Sequence, residues 1–79
     1  MEIKILGPGC PKCIRLEKLT RETVEKEGID AYITKVEDMM KIMEYGVMRT
    51  PGLVIDEKVV FSGRVPSAKE INKLLTNKP

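Results

Sequence analysis

The chain has 79 residues, 42% of them apolar and 33% charged, and carries a net charge of +2. That length allows one domain with one modest core, expected to cover residues 1–79, and the composition excludes an intrinsically disordered chain. The small, interspersed charge excess gives no ground for a nucleic-acid partner, and no apolar run approaches the roughly 18 residues of a membrane-spanning helix.

Ile3-Lys4-Ile5-Leu6 reads as a short apolar strand near the centre of a sheet. The segment is too short for a secretion signal, so a cytoplasmic location is the expectation. Gly7-Pro8-Gly9 breaks the strand. Cys10 then occupies the helix cap and Pro11 the first helical position, where the missing N–H has no partner to lose. Residues 12–27 follow as a long helix, with Cys13, Leu16, Leu19, Thr20, Thr23 and Val24 on its inner side and Gly28 at its end. Ile14 falls off that side, beside the cysteines. It reads either as an ordinary surface isoleucine or as a contact for a partner protein.

Ile29 to Val36 suits a second strand parallel to the first. Glu37 or Asp38 can cap a short helix over residues 38–45, ended by Gly46, which carries Met39, Met40, Ile42 and Met43 inward. Its methionines, with Met48, are expected to fill an irregular core under the sheet. Leu53-Val54-Ile55 and Val59-Val60-Phe61 form a hairpin around Asp56-Glu57-Lys58. After Gly63, Ser67-Ala68-Lys69-Glu70 has the form of a capping box and opens a helix with Ile71, Leu74 and Leu75 on one stripe. Asn77-Lys78-Pro79 should fray. The order βαβαββα implies a mixed four-stranded sheet with helices on both faces.

Both cysteines of the chain lie in Cys10-Pro11-Lys12-Cys13. A pair three positions apart can close a disulfide across one helical turn. The first sulfur sits where the helix leaves backbone N–H groups unpaired, which favours the reactive thiolate. Cys10 precedes the first turn and can reach solvent; Cys13, one turn in, can attack a mixed disulfide formed at Cys10. Lys12 adds a positive charge nearby, or is simply a solvated helix lysine. Zinc is the chemical rival, but a closed structural site needs four ligands, and the chain has no histidine and no further cysteine. A four-thiolate site shared between two chains and a two-thiolate copper(I) site stay open; no metal and no cofactor is assigned.

With Gly9-Cys10-Pro11-Lys12-Cys13, Thr50-Pro51 directly before a strand, and the Gly63 turn before the last helix, the chain resembles the thioredoxin–glutaredoxin superfamily over nearly its whole length. The likeness is to its short archaeal and bacterial thioredoxin-like, redox-active disulfide members. The resemblance implies a thioredoxin-like fold, with Cys10 attacking, Cys13 resolving and Pro51 as a cis-proline against the sulfurs. It implies substrate contacts at Pro11, Lys12, Arg49, Thr50 and Pro51, with the free backbone of Arg49 and Thr50 pairing with an extended segment of the substrate. Arg49 is then either a charge that sets partner preference or an exposed arginine beside a loop.

Three departures qualify the likeness. Gly9 stands where full-length thioredoxins have Trp, and Pro11-Lys12 where they have Gly-Pro. Lys4 corresponds to the buried carboxylate that assists their resolving thiol, so another acid or water must carry that proton. Phe61-Ser62-Gly63-Arg64 lacks the Gly-Gly pair and following Asp by which glutaredoxins hold glutathione. The expectation is therefore a monomeric protein disulfide oxidoreductase that acts on disulfide-containing proteins and is regenerated by a thioredoxin-reductase-like flavoprotein. A metal-binding or redox-sensing module on the same fold is the alternative.

Overall fold

β1 (Glu2–Leu6) runs through the interior of a four-stranded sheet of order β2-β1-β3-β4 in the computed structural model, which describes residues 1–76. β2 (Tyr32–Val36) pairs with it in parallel and β3 (Gly52–Ile55) antiparallel, and β4 (Lys58–Ser62) closes the far edge antiparallel to β3. α1 (Pro11–Glu27), α2 (Met39–Glu44) and α3 (Ala68–Thr76) complete the thioredoxin-like order βαβαββα. The expected fraying of residues 77–79 lies outside the described residues.

The alternation of side chains along β1 divides the core in two. Ile3 and Ile5 point to the face covered by α1 and α3, where they pack with Leu16, Leu53, Ile71 and Leu75. Leu6 points the other way, into a smaller cluster with Ile42, Val47 and Val54 under α2. α1 holds its inner stripe with Cys13, Leu16, Thr20 and Thr23 buried. The two threonines satisfy their hydroxyls by donating to the carbonyls of Leu16 and Leu19, each at 2.8 Å. Gly28 takes the left-handed φ of 63° that ends the helix. Ser67 caps α3 by accepting the Glu70 N–H at 3.2 Å. The Glu70 carboxylate does not return to the cap but pairs with Arg64.

Three local expectations are corrected. β2 begins at Tyr32, three residues later than expected; Ile29 and Ala31 reach the core from the connection before it. The hairpin turn is two residues, Asp56 and Glu57, both with positive φ (48° and 68°), and Lys58 already belongs to β4. Two residues twisted to the left match the twist of the flanking strands, whereas three would not close this register. Finally, α2 spans 39–44 and buries Ile42 alone. Met39, Met40, Met43 and Met48 are exposed, Met48 to 93%, so they do not fill a core. At about 100° per residue, Met40 lies opposite Ile42, and a helix this short against a small sheet has only one inward position.

Candidate active site

The parallel register of β1 with β2 ends at Leu6↔Val36, and the Gly7 N–H continues it by donating to the Val36 carbonyl at 2.9 Å. From there Pro8 and Gly9, the latter at φ +93°, lead the chain into α1. Cys10 is the N-cap residue, extended at φ −66° and ψ 164°, with Pro11 as the first helical residue. Its Sγ accepts the backbone N–H of Cys13 at 3.3 Å, the bond that a serine or aspartate cap would make through oxygen. Its carbonyl accepts the Ile14 N–H at 2.9 Å, so the cap is locked at both ends.

Both cysteines are free thiols, and their surroundings drive them apart. Cys10 is half-exposed, and its thiol is held below the ordinary cysteine value. The hydrogen bond from the Cys13 thiol is the largest cause, followed by the N–H groups of Cys13 and Lys12 at the helix start. Cys13 is 4% exposed; burial foremost, then the hydrogen bond it gives to Cys10, pushes its thiol up. One thiol is therefore shifted toward the thiolate and partly reachable while the other is shifted toward the neutral thiol and covered, an asymmetry suited to a two-step thiol exchange.

Thr50 joins Pro51 through a cis peptide bond, and Pro51 is buried. Gly7 lies between this loop and the helix. A side-chain carbon on Gly7 would collide with Cys13 Sγ and come within 3.7 Å of Thr50 Cβ, so the loop and the buried thiol meet over one glycine. Sheet pairing of β3 begins at Gly52↔Leu6, which leaves the Arg49 and Thr50 backbone ahead of the ladder. Arg49 is exposed, its stem against Gly63. Pro11 and Lys12 are also exposed, as is Ile14 at 59%. Of the residues singled out in the sequence, Pro11 and Lys12 follow Cys10 at the helix start, and Thr50 is brought to Cys13 across Gly7.

Sequence reasoning missed the groups around Cys13. Gly7 reads as a strand breaker, yet its lack of a side chain is what admits the buried sulfur. Glu17, Lys35 and Glu37 line a small cavity against Cys13. The parallel register is the signal that would have found Glu37, since it sets Val36 beside Leu6 and the next residue beside the active loop. Lys4 is half-buried on the α2 side, where it donates to Tyr45 Oη at 2.9 Å and to Glu57 Oε1 at 2.6 Å. Among the described residues no group of three or more His, Cys, Asp or Glu side chains is arranged to hold a metal ion. No helix of the described residues is long and apolar enough to cross a membrane.

A family model described as "Thioredoxin domain" matches residues 1–76. A protein named thioredoxin from Methanothermobacter thermautotrophicus is 45% identical over 76 residues, covering 96% of this chain and 99% of the relative. A thioredoxin from Methanocaldococcus jannaschii is 45% identical over 73 residues, covering 92% and 84%. A probable thioredoxin from Archaeoglobus fulgidus is 31% identical over 72 residues.

Proposed function

The chain belongs to the thioredoxin family and is a thiol–disulfide oxidoreductase; from that premise we propose that it reduces disulfides of other proteins through the Cys10–Cys13 dithiol. Cys10 thiolate attacks one sulfur of the substrate disulfide and expels the other. The mixed disulfide is then opened by Cys13, which leaves an intramolecular Cys10–Cys13 disulfide and a reduced substrate. A thioredoxin-reductase-like flavoprotein returns the two electrons. The chain acts as one domain, residues 1–79, as a monomer in the reducing cytoplasm.

The observation that carries this reading is the sulfur of half-exposed Cys10, accepting the Cys13 N–H at the start of α1. Substrate enters over Pro11 and Lys12 and pairs as a short extended segment with the backbone of Arg49 and Thr50, beside Pro51. Lys12 and Arg49 favour segments that carry acidic side chains.

An insulin-type disulfide reduction assay with several electron donors tests the proposal. Turnover is expected with a flavoprotein reductase and to be slower with glutathione alone. Absence of turnover with every donor rejects it.

A further inference from the structure

Resolution of the mixed disulfide requires Cys13 to lose its proton, yet this thiol is 4% exposed and its burial holds the proton on. Lys4 gives no help, because its ammonium is held by Tyr45 and Glu57. A cavity of about 20 Å³ lies against Cys13, walled by Gly9, Glu17, Lys35 and Glu37. That is room for one water, and these polar walls supply the two to four partners that a buried water needs.

We propose that Glu37 receives the Cys13 proton through a water in this cavity and hands it to solvent, which makes it the positioning acid–base residue of the resolution step. The other two polar walls are unsuited. Glu17 is engaged by Arg21 at 2.9 Å and by Lys35 at 3.7 Å. Lys35, as an ammonium, has no lone pair to accept a proton. Glu37 Oε2 lies 3.3 Å from where a side chain on Gly9 would begin, so the carboxylate sits over the loop that leads to Cys10. It also lines an open groove of about 540 Å³ on its other side, which places it on the wall between the cavity and bulk water. Cys13 therefore shares its cavity with Glu17, Lys35 and Glu37 and has Cys10 beside it, while the groove that Glu37 also lines holds Lys4, Asp38, Lys41, Glu44, Tyr45 and Glu57.

The step rests on the proposed dithiol function and balances within it. The Cys10 thiolate forms the mixed disulfide and releases one substrate sulfur as thiolate. The Cys13 proton passes through the water to the Glu37 carboxylate, and the Cys13 thiolate bonds to Cys10 Sγ. The second substrate sulfur leaves with the electron pair, so the dithiol is oxidised and the substrate reduced by two electrons. Glu37 then returns its proton to the groove water.

Stopped-flow reaction with a symmetrical nitrobenzoate disulfide, whose coloured thiolate reports each release, separates the two attacks. The first phase, attack by Cys10, should be the same in Glu37→Gln and the parent protein. The second, attack by Cys13, should slow about tenfold at neutral pH and rejoin the parent rate at alkaline pH, where Cys13 ionises unaided. A purely electrostatic role predicts the opposite sign, since removing a nearby negative charge eases ionisation of Cys13. A second phase that is unchanged or faster in Glu37→Gln overturns the proposal, as does a slowing produced by Glu17→Gln instead. A fast first phase in Cys10→Ser would bring down the dithiol function itself, whatever Glu37 does.

Discussion

Gly7 has no room for a side chain because the Cys13 sulfur occupies the space directly above it. The last sheet hydrogen bond of the β1 side, Gly7 N–H to Val36, is thereby tied to the position of the buried thiol. Gly7→Ala should cost about 1–3 kcal/mol, the usual range for overpacking, and should slow resolution more than initial attack. Urea unfolding together with the two-phase disulfide reaction measures both. Retained stability with parent-like kinetics would mean that Cys13 can move aside.

The hydrogen bond from the Cys13 thiol is the largest of the influences that hold Cys10 below the ordinary thiol range. Cys13→Ala removes that donor, whereas Cys13→Ser keeps an O–H in its place. The Cys10 thiol should therefore titrate higher in Cys13→Ala than in Cys13→Ser. Alkylation rates followed from pH 5 to 10 on both variants read the difference.

Ile42 and Met40 sit on the same short helix and should respond in opposite ways. Ile42 is fully buried under the sheet, and Ile42→Ala should cost about 2–5 kcal/mol. Met40 is 71% exposed, and Met40→Gln should change stability by no more than about 0.5 kcal/mol. Unfolding midpoints of the two variants check this.

Those methionines mark where the sequence stopped being readable. α1 could be placed from its own residues, because it is long, starts at Cys10-Pro11 and ends at Gly28, and a wide inner stripe leaves little freedom. The central place of β1 and the hairpin's existence followed from short apolar runs and their spacing. α2 has fewer than two turns, so Met39, Met40, Ile42 and Met43 carry no period that tells inside from outside. The surroundings of Cys13 were hidden for another reason. They join residues far apart in the chain, Glu17 on α1 with Lys35 and Glu37 at the end of β2, and only the sheet register brings them to one sulfur.

Glu57 adopts positive φ in the hairpin turn and also holds Lys4 at 2.6 Å. The hydrogen bond with Lys4 is the main reason its carboxyl lies below the ordinary value, while the same bond raises the Lys4 ammonium. A depressed carboxyl contributes stability that is complete above its unfolded value, about 4.3, and is lost as pH falls through the folded one. A raised ammonium contributes stability that is complete below its unfolded value, about 10.4, and is lost as pH climbs through the folded one. Glu57→Gln should therefore flatten the stability profile at both ends. Glu57→Gly should be more stable than Glu57→Gln, since glycine takes this φ without steric cost. Urea unfolding from pH 3 to 11 on the three proteins tests the signs.

The division of labour between the two sulfurs is tested most directly by trapping. Cys13→Ser and Cys10→Ser proteins are each incubated with disulfide-bonded substrate protein, and covalent adducts are counted on a non-reducing gel. An attacking residue 10 and a resolving residue 13 predict stable mixed disulfides with Cys13→Ser and almost none with Cys10→Ser. Equal adduct yields from the two variants, or adducts with Cys10→Ser alone, would contradict that assignment.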